Sequence, residues 1–221
     1  MGVIMSRGDE LIDLLRKNPS DHTARALLSE FSAGYPVEQL ASLFHSGNPA
    51  AVEIGAWIAS ELGDRATPLL PEIPSLLDSP VRAIKFFAID VILACAGPDH
   101  GPAIAQAITL IEDADEAVRW KTMQLLSRAS ESQLDAAVGH LSSEPIRSLT
   151  ASLSIGSAQG DITSRLTSSD RTTRLFAAAA AARVADKDRG ALELAASLAD
   201  TEISTFAKEQ LELLSIRRPP S

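Results

Sequence analysis

Cysteine is nearly absent: Cys95 stands alone in 221 residues. A single cysteine forms no internal disulfide, so nothing ties the chain to an oxidising compartment. Cys95 follows the apolar run Val91-Ile92-Leu93-Ala94 and reads as a small core residue, because a catalytic thiol needs a base partner and exposure. Aromatic residues are scarce as well, at 4% with one tyrosine, against 35 alanines. Strands favour aromatic and β-branched side chains, so this balance points to closely packed helices. Positive charge is in deficit, with 20 Lys and Arg against 29 Asp and Glu and a net charge of -9. A protein that neutralises phosphates needs a basic face, so this balance argues against direct nucleic-acid binding. No apolar run reaches the roughly 18 residues a membrane-spanning helix needs. Residues 1–10 lack the apolar core and small-residue cleavage site of a secretory signal. The stretch Met1-Gly2-Val3-Ile4-Met5-Ser6 fits a loose myristoylation pattern, which is read as incidental. The expected location is cytoplasmic.

Chemical motifs are missing too. There is no nucleophile elbow, phosphate-binding glycine loop or dinucleotide fingerprint. The four histidines, His22, His45, His100 and His140, show no metal-ligand spacing and no cysteine neighbour, and read as surface or helix-end residues. In Gly97-Pro98-Asp99-His100-Gly101-Pro102 the Asp–His pair suggests acid–base work, but a turn with Asp99 capping the next helix is the ordinary use of such a position. No metal, cofactor or catalytic residue is expected.

What is present is a repeat. Six segments carry an aliphatic anchor, then often a basic residue, then a small residue four positions after the anchor. The anchors are Val52, Ile84, Val118, Ile146, Thr173 and Ile203, spaced 27 to 34 residues apart. The small residues are Ala56, Ala88, Thr122, Thr150, Ala177 and Ala207. With Ser60, Ile92, Leu126, Ser154, Ala181 and Leu211 four further on, they form one helical stripe whose small centre lets another helix approach. The basic residue beside the anchor lies off this stripe, near the helix start, where it can bond neighbouring carbonyls or an acidic loop. These are the A helices. Apolar stretches at about 66–77, 101–111, 133–141, 161–166 and 189–198 predict B helices, with turn residues between the pieces. Asp115, Ser143 and Asp170 are expected N-caps. Pro68 and Pro71 suit a first helical turn, whereas Pro74 should kink or delay its helix. Residues 9–17, 23–32 and 36–44 predict three more helices without the motif. The resulting organisation is one continuous domain, with divergent capping helices at 1–47, a repeat array at 48–216 and a flexible tail at 217–221.

The pairs Ile84-Lys85, Val118-Arg119 and Ile146-Arg147, with Ala56, Ala88 and Ala177, resemble the HEAT-repeat family over about residues 48–216. Glu53 and Ser204 depart from it where a basic residue is usual, and Thr173 departs from it as an anchor. The resemblance implies an all-α, right-handed α-solenoid of about six helix pairs, with A helices on the convex side and B helices lining a concave face. It implies no single activity, since such arrays are mostly protein-binding scaffolds. The wording Ser46-Gly47-Asn48-Pro49, Glu61-Leu62-Gly63, Leu69-Leu70-Pro71 and Phe86-Phe87-Ala88-Ile89-Asp90 is similar to small bacterial HEAT-like immunity proteins.

Function is therefore expected in a surface. The densest charge run is Glu112-Asp113-Ala114-Asp115-Glu116, which either complements a helix N-terminus or forms a carboxylate rim for a basic partner. Trp120 is either a hot spot beside it or buried, and Trp57 reads as core. The expected partner-binding residues are Glu72, Glu112, Asp113, Asp115, Glu116 and Trp120. Residues 1–64 carry 4 basic and 9 acidic side chains, the strongest acidic bias, which steers a cationic partner there. The leading expectation is a non-enzymatic protein that binds a basic protein partner, most sharply an immunity protein that neutralises a basic bacterial toxin. The alternative is an adaptor in a larger complex, which predicts an exposed apolar patch on an end repeat. A HEAT-like tetrapyrrole lyase or DNA glycosylase ranks last. The lyase lacks aromatic residues for a pocket, and the glycosylase lacks a basic face.

Overall fold

The computed structural model describes residues 5–155 and 159–217. Among these the chain is all-α, with fourteen α-helices joined by turns and 3-10 segments. It separates into two compact units, Met1–Ala96 and Gly97–Ser221. The division falls within the span that the repeat pattern reads as one array.

The first unit holds α1 (Arg7–Lys17), α2 (Asp21–Ser32), α3 (Ala41–Phe44), α4 (Pro49–Glu61), α5 (Ile73–Leu77) and α6 (Arg82–Cys95). It stacks regularly: α4 packs between α2 and α6, while α3, the 3-10 run Gly63–Glu72 and α5 form the other layer. The start of α1 is a capping box between Ser6 and Asp9. The Tyr35 hydroxyl donates to Asp9 Oδ1 at 2.6 Å. That bond, with those from Ser6, holds the Asp9 carboxyl below its ordinary pKa. A Cβ at Gly8 would lie 2.6 Å from the Tyr35 ring, so only glycine admits this closure. The prolines act as expected in part. Pro74 delays its helix, since α5 begins only at Ile73 and takes Pro74 into its first turn. Pro68 and Pro71 lie in the 3-10 run, not in the first turn of an α-helix.

The second unit holds α7 (Gly101–Thr109), α8 (Glu116–Arg128), α9 (Glu131–Val138), α10 (Glu144–Ile155), α11 (Gln159–Leu166), α12 (Arg171–Val184), α13 (Gly190–Ser197) and α14 (Thr201–Arg217). All six expected A helices are present as α4, α6, α8, α10, α12 and α14. Asp115 and Asp170 cap α8 and α12 with their side chains, and the Ser143 carbonyl accepts the first helical bond of α10 from Arg147. The expected tail at 217–221 lies outside the described residues beyond Arg217, as does Gly2.

The small centre of the packing stripe is where the repeat pattern placed it, and at its third position Ile92, Leu126 and Ala181 are buried while Ser60 and Leu211 are half-buried. All six small residues are 0–2% exposed. Thr122 and Thr150 satisfy their buried hydroxyls by donating to the Val118 and Ile146 carbonyls at 3.0 and 2.8 Å. The anchors Ile84, Val118, Ile146 and Ile203 are buried, whereas Val52 and Thr173 are half-buried. In α4 the register is carried instead by Ala51, Gly55, Ile58 and Leu62. Replacing Ala88 by tryptophan should overpack α6 against α4 and the 3-10 run, at about 1–3 kcal/mol. Urea denaturation checks this, and wild-type stability would place the stripe elsewhere.

One arrangement is not that of neighbours alone. In the second unit α8 packs directly on α12, two A helices later, and also touches α14. Helix α12 is the centre of this unit: Leu175 to Ala181 are buried without interruption, on every side. Its alanines let α8, α10, α11, α13 and α14 all reach it.

Candidate functional site

The acidic run lies in the second unit, between a 3-10 turn at Leu110–Glu112 and α8. Two of its four carboxylates are spent on the fold. Asp115 Oδ1 accepts from the Ala117 and Val118 amides at 2.9 and 3.4 Å, capping α8. Asp113 Oδ1 accepts from the Asp115 amide at 2.8 Å, closing the turn before it. Glu112 and Glu116 are exposed, and Thr172 of α12 donates to Glu112 Oε1 at 3.2 Å.

Arg119, the basic residue beside the Val118 anchor, braces this loop from below. Its Nη1 donates to the Asp113 and Ala114 carbonyls at 2.7 and 2.9 Å. Its Nε and Nη2 grip Glu202 of α14 at 2.8 and 3.2 Å. Arg119 and Glu202 are buried, at 5% and 6% exposure, and Arg171 of α12 joins Glu202 from its more exposed side. The Glu202 carboxylate thus ties α8, α12 and α14 together. The same device recurs, as the sequence position of these arginines implied. Arg147 donates to the Leu141 carbonyl at 2.9 and 2.7 Å. Arg174 donates to the Ser168 and Ser169 carbonyls at 2.9 and 3.1 Å and pairs with Asp200 at 3.4 Å. A guanidinium suits this because its fork of donors serves several acceptors at once.

Trp120 is half-buried, and its ring meets Phe206 of α14 edge-on at 6.2 Å. Glu72 belongs to the first unit, where its Oε2 lies 2.9 Å from His45 Nε2 at the end of the 3-10 run. The structure therefore brings Glu112, Asp113, Asp115 and Glu116 together with Trp120 on α8, and places Glu72 in the other unit.

Other expected features resolve as follows. Cys95 is half-buried with Sγ 3.0 Å from the Gly63 carbonyl oxygen, and desolvation raises its pKa, which disfavours the thiolate. The turn at Gly97 is closed by His100, whose Nδ1 accepts from the Gly97 amide at 3.1 Å; Asp99 does not cap α7, whose N-cap position is His100 without a side-chain cap bond. Among the described residues no group of three or more His, Cys, Asp or Glu is placed to hold a metal, and no helix is long and apolar enough to cross a membrane.

Trp57 is not a core residue. It is half-buried and lines an open cleft of about 380 Å³ in the first unit. The cleft is built from Asp21 and Arg25 of α2, Glu53, Ile54 and Trp57 of α4, and Phe87 of α6. The guanidinium carbon of Arg25 lies 5.9 Å from the Trp57 ring centroid. Sequence reasoning missed this site because Trp57 sits next to Ala56, and one step along a helix turns a side chain by about 100° off the buried stripe. The available signal was the spacing of Ala50, Glu53, Ile54 and Trp57, a second face of α4 with its own periodicity.

No family model matches the chain, and no curated protein matches it in sequence. Solved structures do. One engineered protein aligns with a TM-score of 0.54 at 18% identity, over 96% of this chain and 98% of its own. A second engineered protein gives 0.53 at 16% identity, over 94% and 98%. A designed armadillo repeat protein, solved in complex with the peptide (KR)4, gives 0.49 at 15% identity, over 94% and 99%. At these identities the likeness concerns the fold alone.

Proposed function

We propose that the chain is a non-catalytic, cytoplasmic protein-binding module of the HEAT-repeat type that takes a basic protein partner. In its sharpest form it is an immunity protein that neutralises a basic bacterial toxin, such as a nuclease. The observation that carries this reading is the braced acidic loop before α8. Arg119 holds two of its carbonyls, Asp113 and Asp115 shape it, and Glu112 and Glu116 stand exposed. A loop ordered in advance loses little entropy on binding, and its charges, set in a protein of net charge -9, speed encounter with a cation.

Affinity co-purification from the source cell, with mass spectrometry of what stays bound, tests the proposal. One stoichiometric basic protein is the expected result, and a bound chromophore without protein would overturn it. Reversing Glu112 and Glu116 to lysine should then slow association by about tenfold at low salt and less at 0.5 M, since surface charges act through a screened field. Asp113 and Asp115 are left in place because the fold uses them. An unchanged on-rate moves the contact elsewhere.

A second reading, the adaptor in a larger complex, is favoured by one feature. Leu213 and Ile216, 45% and 69% exposed, give the last helix an apolar outer edge. A multi-subunit assembly in the same experiment, stable in high salt, would support it.

A further inference from the structure

The cleft at Trp57 combines three properties that a structural surface does not need together. The first is an aromatic floor: Trp57 and Phe87 are both half-buried and line the cleft, together with Ile54 of α4. The second is uncompensated negative charge. Asp21 and Glu53 are exposed, and neither carboxylate has an ion pair or side-chain hydrogen bond among the described residues. The third is a cation already seated on the ring. Arg25 stands four residues after Asp21 on α2, the spacing at which such a pair forms a salt bridge, yet the pair is not made. The guanidinium lies over Trp57 instead.

These properties select the occupant. An anion would face Asp21 and Glu53, and a purely apolar group would desolvate them without return. A cation gains both the face of the indole and the carboxylates. The acidic bias of residues 1–64, with 4 basic and 9 acidic side chains, adds a field of the same sign.

Resting on the reading that the partner is basic, we infer that the cleft between α2, α4 and α6 receives an arginine or lysine side chain of that partner, with Arg25 as the internal cation it displaces from Trp57. The contact thus lies on α2 and the A helices α4 and α6, not on the concave face that the family resemblance lines with B helices.

The probe is acetylated, amidated penta-arginine, titrated in 150 mM salt into the full-length protein labelled with ¹⁵N. The two tryptophans give two indole signals, and Trp57→Phe assigns them. The Trp57 signal should shift saturably. Trp57→Ala should weaken binding about tenfold, as should Asp21→Asn with Glu53→Gln. Arg25→Ala should tighten binding about fivefold, because it vacates the ring and removes a like charge. A tryptophan that serves only packing predicts no such gain. Arg25, Asp21 and Glu53 are exposed, so their variants test the site even where Trp57→Ala unfolds the protein.

Equal affinity of the Arg25→Ala and Asp21→Asn/Glu53→Gln variants and the wild type overturns the inference. If that equality comes with lost binding in Glu112→Gln/Glu116→Gln, the cleft is wrong while the basic-partner reading stands. Absence of any penta-arginine binding also overturns the cleft. The parent reading then stands or falls separately, on whether co-purification yields a basic protein.

Discussion

Replacing Glu202 by alanine is expected to destabilise the second unit by about 3–5 kcal/mol, because it leaves the Arg119 guanidinium buried without its counter-charge. Glu202 is 83 residues from Arg119 in sequence and 2.8 Å from it in space, and both are nearly inaccessible to water. Arg119 would keep its bonds to the Asp113 and Ala114 carbonyls, but neither carbonyl carries a neutralising charge. For a unit of this size the loss corresponds to a fall in Tm of roughly 10 °C or more. Chemical denaturation followed by circular dichroism measures it. A loss below about 1 kcal/mol would mean that water reaches Arg119 and that the network does not hold α8 to α14. Changing both partners to apolar residues of similar size, Arg119→Met with Glu202→Leu, should recover much of the loss, since a buried pair stabilises little beyond an apolar replacement. The acidic loop should then lose order while the fold survives. That double variant separates the stability of the unit from the presentation of Glu112 and Glu116.

Phe206→Ala is expected to cost about 3–5 kcal/mol through lost burial and the cavity left behind. Phe206 is among the largest fully buried side chains and is the ring against which Trp120 rests. The same change should redden Trp120 fluorescence, because water fills the space beside the indole. Phe206→Leu, closer in volume, should cost less than about 1.5 kcal/mol and leave the emission nearer to wild type. Full stability of the alanine variant would show that α14 is not packed on α8 as described. Both changes act on the same helix pair from different chemistry, one by charge and one by shape. Agreement between them would establish α14 as the clamp on α8.

The A helices were legible for a simple reason. A buried face repeats every three to four residues, and a close helix crossing needs a small side chain at its centre. Ala88, Thr122 and Ala207 meet both demands, and all three are fully buried. Arg119, Arg147 and Arg174 were legible as local devices, since each reaches carbonyls only five or six residues back. The caps at Asp115 and Asp170 follow from equally local chemistry. The acidic run was legible as charge, but not its division of labour: nothing in Glu112-Asp113-Ala114-Asp115-Glu116 says which carboxylates turn inward. That depends on where the next amides point, which is backbone geometry.

Glu202 shows the limit most clearly. In sequence it is an acidic residue in the first turn of α14, where a carboxylate complements the helix N-terminus. Its real partners, Arg119 and Arg171, come from helices begun 86 and 31 residues earlier. They meet it because α8, α12 and α14 share one centre. The same holds for the cleft at Trp57, assembled from side chains of three helices, with Asp21 and Arg25 from α2, Glu53, Ile54 and Trp57 from α4 and Phe87 from α6. Sequence by itself determined the helical class, the repeat, its buried stripe and the acidic character, because each is written in neighbours along the chain. Only tertiary structure decided that α8 packs on α12, that Glu202 is buried between arginines and that Trp57 faces outward, because each rests on contacts between residues distant in sequence.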